Sequence, residues 1–171
     1  CKIIYCKRYL SSNQYGPLLE KYIKNFLNIK KPLNNFSGDG AINNKNIEIK
    51  VSLGDKFGQL NIVQIRPDHN IDFYIILFYN IFDNNELGKI HFIFIKAKIL
   101  YDLILKYGNY AHGTIAKLGK ININNFYDKN NEYALRCNPI KNNTKSKKIW
   151  DELIIYDYNI NQIKYILNKV N

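Results

Sequence analysis

The sequence predicts an α/β fold in which a mixed central β-sheet is flanked by helices. An amphipathic helix near the start of the chain is followed by a strand with clean alternation of apolar and polar residues. Two nearly continuous apolar runs come next, as expected of strands buried on both faces, and a second helix follows them. Because 171 residues make about one domain, we expect a single domain over 1–171 with its core at about 16–107.

The first predicted helix covers residues 16–30. Pro17 suits a first helical turn, and Pro32 would end the helix. The apolar side chains recur at helical spacing on one side and are Leu18, Leu19, Tyr22, Ile23, Phe26 and Leu27. The segment 32–40 is then expected to be a loop.

A strand is predicted over residues 47–53, where apolar residues alternate with Glu48, Lys50 and Ser52. The segment 43–46 is rich in Asn and is expected to form the turn of a hairpin. With that turn, residue 42 would lie opposite 47, and residue 39 opposite 50.

The rest of the chain is predicted to contain two further strands and two helices. The apolar runs at 73–79 and 90–95 are interpreted as strands joined by a turn at 83–88. A helix over 97–107 would end at Gly108, and a closing helix is expected at 159–170. The part between them, 109–149, is basic and rich in Asn and is expected to be irregular.

Composition narrows the classes of function. Lys and Arg number 25 against 14 Asp and Glu, and the resulting net charge of +11 attracts polyanions, of which nucleic acid is the commonest. The Lys, Asn, Ile and Tyr usage is also typical of an AT-rich genome. A hydrophobic share of 46% excludes overall disorder, and no apolar stretch approaches the ~20 residues of a membrane span. Three Cys without a Cys-x-x-Cys pair and no visible signal peptide favour free thiols in a reducing, cytoplasmic compartment.

The residues most informative about chemistry are Asp39, Glu48 and Lys50. Paired residues on antiparallel strands point to the same face, so the predicted hairpin brings all three side chains together. Two neighbouring carboxylates repel each other, and a divalent cation such as Mg²⁺, with Mn²⁺ as a substitute, would remove that conflict. An ammonium beside the metal can orient an attacking water. The pattern therefore indicates a site for phosphodiester hydrolysis.

The order Asp39, then Glu48-Ile-Lys50, resembles the signature of the PD-(D/E)XK nucleases, with Gly38-Asp39 standing where that family has Pro-Asp. The resemblance covers about residues 16–96, including the order of the elements, and it implies a restriction-endonuclease-like core. The segment Gly16-Pro-Leu-Leu-Glu20 looks like the helix that brings a further acid near the metal in this family. The segment 58–69 is similar to the part that follows the signature in type II restriction endonucleases.

The resemblance implies Mg²⁺-dependent cleavage of double-stranded DNA at a short specific sequence by a homodimer, leaving a 5′-phosphate and a 3′-hydroxyl. By the same resemblance, Asp39 and Glu48 would be metal ligands, Ile49 would lend its backbone carbonyl to the metal, and Lys50 would place the water. Glu20 would be the additional acid of the site.

Other residues are weaker candidates, and each has a plainer structural interpretation. Glu20 is as well placed to pair with Lys24 one turn later on a solvated face. Gln64 and Arg66 are candidates for support of the site or for phosphate contact, and His112 lies in a turn of small residues that can approach DNA.

Two alternative functions stay open. Structure-selective nucleases that act on DNA junctions or in repair share the same core. A non-catalytic basic module that binds DNA or RNA would carry the acids only as surface charge, since Glu-x-Lys on a polar strand face is common in a Lys-rich chain.

Overall fold

A four-stranded mixed sheet forms the centre of the molecule. The structure, a computed structural model, describes residues 2–80, 88–112, 114, 119–129 and 131–170. Strands β1 (Gly40–Ile42), β2 (Lys45–Leu53), β4 (Phe73–Asn80) and β5 (Lys89–Lys96) lie in the order β1-β2-β4-β5. The pair β2–β4 is parallel and the other two pairs are antiparallel. The predicted α/β class with a mixed sheet flanked by helices is confirmed, and the predicted turn at 83–88 lies almost entirely outside the described residues.

Helices cover both faces of this sheet. They are α1 (Lys2–Tyr9), α2 (Ser12–Leu27), α3 (Ala97–Tyr107), the short α4 (Ile123–Phe126), α5 (Lys145–Leu153) and α6 (Ile160–Lys169), with a 3-10 turn at Ile154–Tyr156. The helices α3 and α6 lie within a residue or two of the segments predicted for them.

A second, three-stranded sheet is present that the sequence pattern does not predict. Its strands are β3 (Leu60–Ile65), β6 (Asn109–Tyr110) and β7 (Tyr133–Cys137), in the order β3-β7-β6 with antiparallel pairing. The expectation that 109–149 is irregular is therefore wrong, because this region contributes two strands and two helices. Strand β7 is buried at every position except Arg136, so its sequence shows no alternation that would reveal it.

The two faces of the central sheet pack into two separate cores. One core joins α2 and α6 to the odd-numbered side chains of β2 and β4, such as Ile47, Ile49 and Ile75. The other core joins α3, α5 and the second sheet to the even-numbered side chains of β4, such as Tyr74 and Ile76. The polar residues Glu48, Lys50 and Ser52 of β2 share this second side, since parallel neighbours in register point the same way.

Helix α2 differs from its prediction at both ends. It begins at Ser12, four residues early, where the Gln14 side-chain oxygen accepts the Ser11 backbone N–H at 2.9 Å. Pro17 consequently lies inside the helix rather than in its first turn. The helix ends at Leu27, three residues before the predicted end, and is capped by Asn28, whose φ of +59° is left-handed.

Candidate active site

A tight hairpin between β1 and β2 positions the first carboxylate. Ile42 pairs with Lys45, so the turn contains only Asn43 and Asn44, with φ of +48° and +58°. Two residues with positive φ are the requirement of a type I′ turn, which Asn tolerates better than most residues. The predicted four-residue turn is therefore wrong by two positions in register. Because the shift is even, every side chain still points to the predicted face.

Asp39 extends the hydrogen bonding between β1 and β2 by one residue, and its side chain takes part. Its backbone N–H donates to the Ile47 carbonyl at 2.9 Å, and its Oδ2 accepts the Ile49 N–H at 2.7 Å. The ladder pairs of β1 end at Gly40, so the carboxylate satisfies the next free N–H of β2. The Asp39 carboxylate is thereby fixed beside β2, on the side where Glu48 also lies.

Glu48 and Lys50 form a largely buried ion pair. Their Oε1 and Nζ atoms are 2.7 Å apart, and only 16% and 17% of the two side chains are exposed. Burial raises the pKa of the Glu48 carboxyl, Lys50 opposes that rise, and the nearby charge of Asp39 adds to it. The three side chains predicted to converge are therefore close enough to influence one another electrostatically.

Two tyrosines form the inner wall beside Glu48. Tyr74 is the neighbour of Glu48 in register on β4, and its hydroxyl lies 3.4 Å from that of Tyr101 on α3. Burial raises the pKa of Tyr101 to about 12 and also raises the pKa of Tyr74, with Glu48 adding to both shifts. These hydroxyls therefore stay protonated near neutral pH.

The glycines that flank Asp39 have a packing role. Gly38 has φ of +73°, and a Cβ there would lie 2.6 Å from the Ile47 carbonyl oxygen. A Cβ on Gly40 would lie 2.4 Å from the Ile29 side chain and 2.5 Å from the Lys30 carbonyl oxygen. Both glycines are thus needed for the close approach of the Asp39 segment to its neighbours.

Arg66 belongs to an ion pair that no sequence pattern indicates. Its Nε donates to Glu132 Oε1 at 2.8 Å, and its Nη2 approaches the same oxygen. Glu132 lies just before β7, and its carbonyl accepts the Ala111 N–H and the Thr114 hydroxyl, each at 2.7 Å. The partners are 66 residues apart, so no spacing rule connects them. Arg66 is also close enough to Glu48 to lower the pKa of that carboxyl.

A loop contact joins the segment that follows Arg66 to the segment that precedes Asp39. The Phe36 carbonyl accepts the Asn70 N–H at 2.8 Å, and the rings of Phe36 and His69 meet edge to face at 5.3 Å. Burial lowers the pKa of His69, Asp68 opposes that shift, and the cations Arg66 and Lys50 add to it. His69, which is not among the predicted site residues, thus lies within electrostatic reach of the candidate site.

Three predicted residues form no hydrogen bond or ion pair with Asp39, Glu48 or Lys50 in the described part of the chain. Glu20 pairs with Lys24 at 3.1 Å on α2, which packs on the sheet face opposite Glu48, so the plainer interpretation applies. Gln64 is exposed at a bulge of β3, where its φ is +55°. His112 is exposed in the turn after Ala111, on the side of Glu132.

Among the described residues, no group of three or more His, Cys, Asp or Glu side chains is arranged to hold a metal ion. The candidate ligand set is therefore the pair Asp39 and Glu48. Ile49 donates its N–H to Asp39, and its buried side chain lies in the core below. Cys6 and Cys137 are buried and unpaired, and burial raises the pKa of the Cys137 thiol to about 12.

The chain matches no protein-family model, and comparison with curated proteins and with solved structures finds no significant similarity. None of the helices in the described ranges is long and apolar enough to cross a membrane.

Proposed function

We propose that the protein is a metal-dependent phosphodiester hydrolase. The observation that carries the proposal is the group formed by Asp39, Glu48 and Lys50 on the polar face of β2, where two carboxylates and an ammonium lie together. Burial raises the pKa of Glu48, and the second carboxylate, Asp39, adds to that rise. Buried carboxylates perturbed by a neighbouring charge are concentrated at functional sites, which supports a chemical use for this group.

The donor set fits a hard divalent cation such as Mg²⁺, with Mn²⁺ as a substitute. Mg²⁺ is commonly held by one or two protein carboxylates while it keeps several waters, so Asp39 and Glu48 suffice as ligands without a third acid. A cation between them would also stabilise the ionised form of Glu48, which burial and Asp39 disfavour. The carbonyl of Ile49 stays a candidate third ligand, by resemblance.

Each residue of the group has a separate task in this proposal. The bound cation would supply positive charge to the phosphate and its departing oxygen. Asp39 is already held in place by the Ile49 N–H, so binding a cation would cost its side chain little further conformational entropy. Lys50 would exchange its bond to Glu48 for one to the attacking water or a phosphate oxygen, where its charge stabilises the transition state.

Double-stranded DNA cut at a short specific sequence is the proposed substrate, with a homodimer as the active form. The net charge of +11 supports a polyanionic substrate, and the resemblance to type II restriction endonucleases supports the rest. Arg66 would then support the site rather than contact a phosphate, because two of its N–H groups already bind Glu132.

Incubation of plasmid DNA with the protein and Mg²⁺ tests the proposal. Discrete fragments, absent in EDTA and with a Glu48→Gln variant, are the expected result. Preferential cleavage of branched DNA over linear duplex would instead support a junction-resolving or repair nuclease. Tight DNA binding without cleavage of any substrate, under Mg²⁺ and Mn²⁺ alike, would contradict a hydrolytic role and favour a binding module.

A further inference from the structure

We infer that a basic pocket beside the second sheet binds a phosphate group of the nucleic-acid backbone. The pocket has a volume of about 280 Å³ and lies where the start of β3, the end of β7 and the first turn of α5 meet. Three cationic side chains line it, Arg136, Lys141 and Lys145, and Gln59, Thr144 and Ser146 add neutral polar groups. The volume is several times the ~30 Å³ that one water molecule occupies in the liquid, so a hydrated phosphate fits.

The charge of this pocket is uncompensated. No acidic residue is among its lining residues, and within the described ranges Arg136, Lys141 and Lys145 form no ion pair. The two acids of α5 have other partners, because Asp151 binds Lys147 and Glu152 binds Lys106 and the Tyr107 hydroxyl. Three like charges around one pocket repel each other, and an anion with several acceptor oxygens offsets that repulsion.

The backbone that carries the lysines is held in place by the buried side chain of Asn138. Its Oδ1 accepts the backbone N–H groups of Ile140 and Lys141 at 3.0 and 3.1 Å, and its Nδ2 donates to the Phe57 carbonyl at 2.9 Å. The Asn138 N–H donates to the Ser146 carbonyl at 3.0 Å, which links this loop to α5. A rigid pocket loses little backbone entropy when an anion binds.

A second set of bonds orients the Lys141 end of the loop. The Thr144 hydroxyl donates to the Lys141 carbonyl at 2.6 Å and accepts the Lys147 N–H at 3.2 Å. The Lys-rich segment 141–148, whose composition is typical of a solvated loop, is thus an ordered loop that leads into a helix.

The pocket is separate from the candidate active site. Arg136 lies opposite Asn61 near one end of the β3–β7 pair, whereas Arg66 follows the other end of β3. The Asn61 N–H also donates to the Ser52 hydroxyl at 2.9 Å, two residues along β2 from Lys50. The pocket nevertheless has none of Asp39, Glu48 and Lys50 in its lining, and within the described ranges no hydrogen bond or ion pair joins its three cations to them. The net charge of +11 favours a polyanion over a single free phosphate, so the nucleic-acid backbone is the favoured source of the phosphate.

The test measures DNA binding as a function of salt, with Ca²⁺ in place of Mg²⁺ so that cleavage does not interfere. A triple variant, Arg136→Gln with Lys141→Gln and Lys145→Gln, is compared with the wild type by fluorescence anisotropy on a labelled duplex. The matched control replaces Lys21, Lys89 and Lys169 with Gln, three exposed lysines elsewhere that lower the net charge equally. Circular dichroism and thermal melting establish that both variants are folded, and single replacements of Lys141 and Lys145 serve if the triple variant is not.

We expect the pocket variant to reduce affinity at least tenfold at low salt. Its plot of log K against log salt should be shallower by about 0.9 for each phosphate that the protein no longer neutralises, whereas the control should keep nearly the wild-type slope. Equal slopes for the two triple variants would overturn the inference, because the pocket would then act only through net charge. Binding of inorganic phosphate to the pocket, seen by chemical-shift changes, without any change in the DNA slope would assign it to a free phosphate and likewise overturn it.

This result does not depend on the proposed hydrolysis. A protein that cuts nothing but shows the expected slope difference would keep the phosphate pocket and lose the hydrolase proposal. A protein that cuts DNA with equal slopes for both variants would keep the hydrolase proposal and lose the pocket.

Discussion

Replacement of Lys50 by Met separates a catalytic ammonium from a structural one. Met retains most of the apolar stem, so packing on the polar face of β2 changes little. Lys50 is the main group that holds down the pKa of Glu48, and its removal should raise that pKa further. Loss of one partner from a fully buried ion pair costs roughly 3–5 kcal/mol. Because about a sixth of each side chain is exposed, we expect a smaller loss of stability, about 1–3 kcal/mol at pH 8 without metal.

The same variant should retain metal and lose turnover. The carboxylates of Asp39 and Glu48 would no longer compete with an ammonium, so Mn²⁺ affinity measured by calorimetry should stay equal or increase. Single-turnover cleavage in Mg²⁺ should fall by roughly 10²–10⁴, the usual contribution of a positioned proton-transfer or charge-stabilising group. The control is Lys45→Met, which removes the same charge from the other face of the same strand.

Cleavage by the Lys50→Met protein at a rate close to that of the wild type, with DNA and metal affinities unchanged, would refute the assigned role of the ammonium. Loss of Mn²⁺ affinity together with activity would instead show that Lys50 supports the ligands rather than the reacting groups.

Three further predictions concern the ligands and the backbone around them. Asp39→Asn should weaken Mn²⁺ binding at least tenfold in calorimetry, and unchanged affinity would remove Asp39 from the ligand set. The same variant should lose only about 1 kcal/mol of stability in urea titration, because the amide oxygen still accepts the Ile49 N–H. Since the folded-state pKa of Glu48 lies above its ordinary value of 4.5, the free energy of unfolding in EDTA should fall as pH rises through the interval between the two values. Glu48→Gln should flatten that dependence, and identical pH profiles would contradict the raised pKa. Gly16→Ala places no atom within 4 Å of the new Cβ and should raise the free energy of unfolding by about 0.5–1 kcal/mol. Gly38→Ala should lower that free energy by at least about 1 kcal/mol, and a stabilising effect would contradict the close contact with the Ile47 carbonyl.

Much of the central sheet could be predicted because its signals are local. The apolar runs of β4 and β5 and the alternation in β2 are properties of consecutive residues. Two strands of the second sheet have no such signal, since β6 has two residues and β7 five, and Arg136 is the single exposed position of β7. Strands this short acquire their structure from the partner with which they pair, which is distant in sequence.

The candidate site likewise contains some residues that a local pattern indicates and others that only the folded chain brings near. Glu20 has the spacing of an additional acid, but the helix that carries it packs on the opposite face of the sheet, a fact fixed only by tertiary packing. Glu132 and His69 approach the site through loops that no local pattern describes. The loop that carries Lys141 is likewise ordered by Asn138, whose importance depends on its burial and not on its type.

The order of residues along the chain was enough to place Asp39, Glu48 and Lys50 on one face, because side chains along a strand alternate with a period of two and any even change of register preserves that face. Their surroundings depend on the folded molecule: the two-residue turn, the buried ion pair, the second sheet with Arg66 and Glu132, and the basic pocket at its far end. The physical reason is range, since alternation acts between neighbouring residues, whereas burial and charge pairing act between segments that meet only in the folded chain.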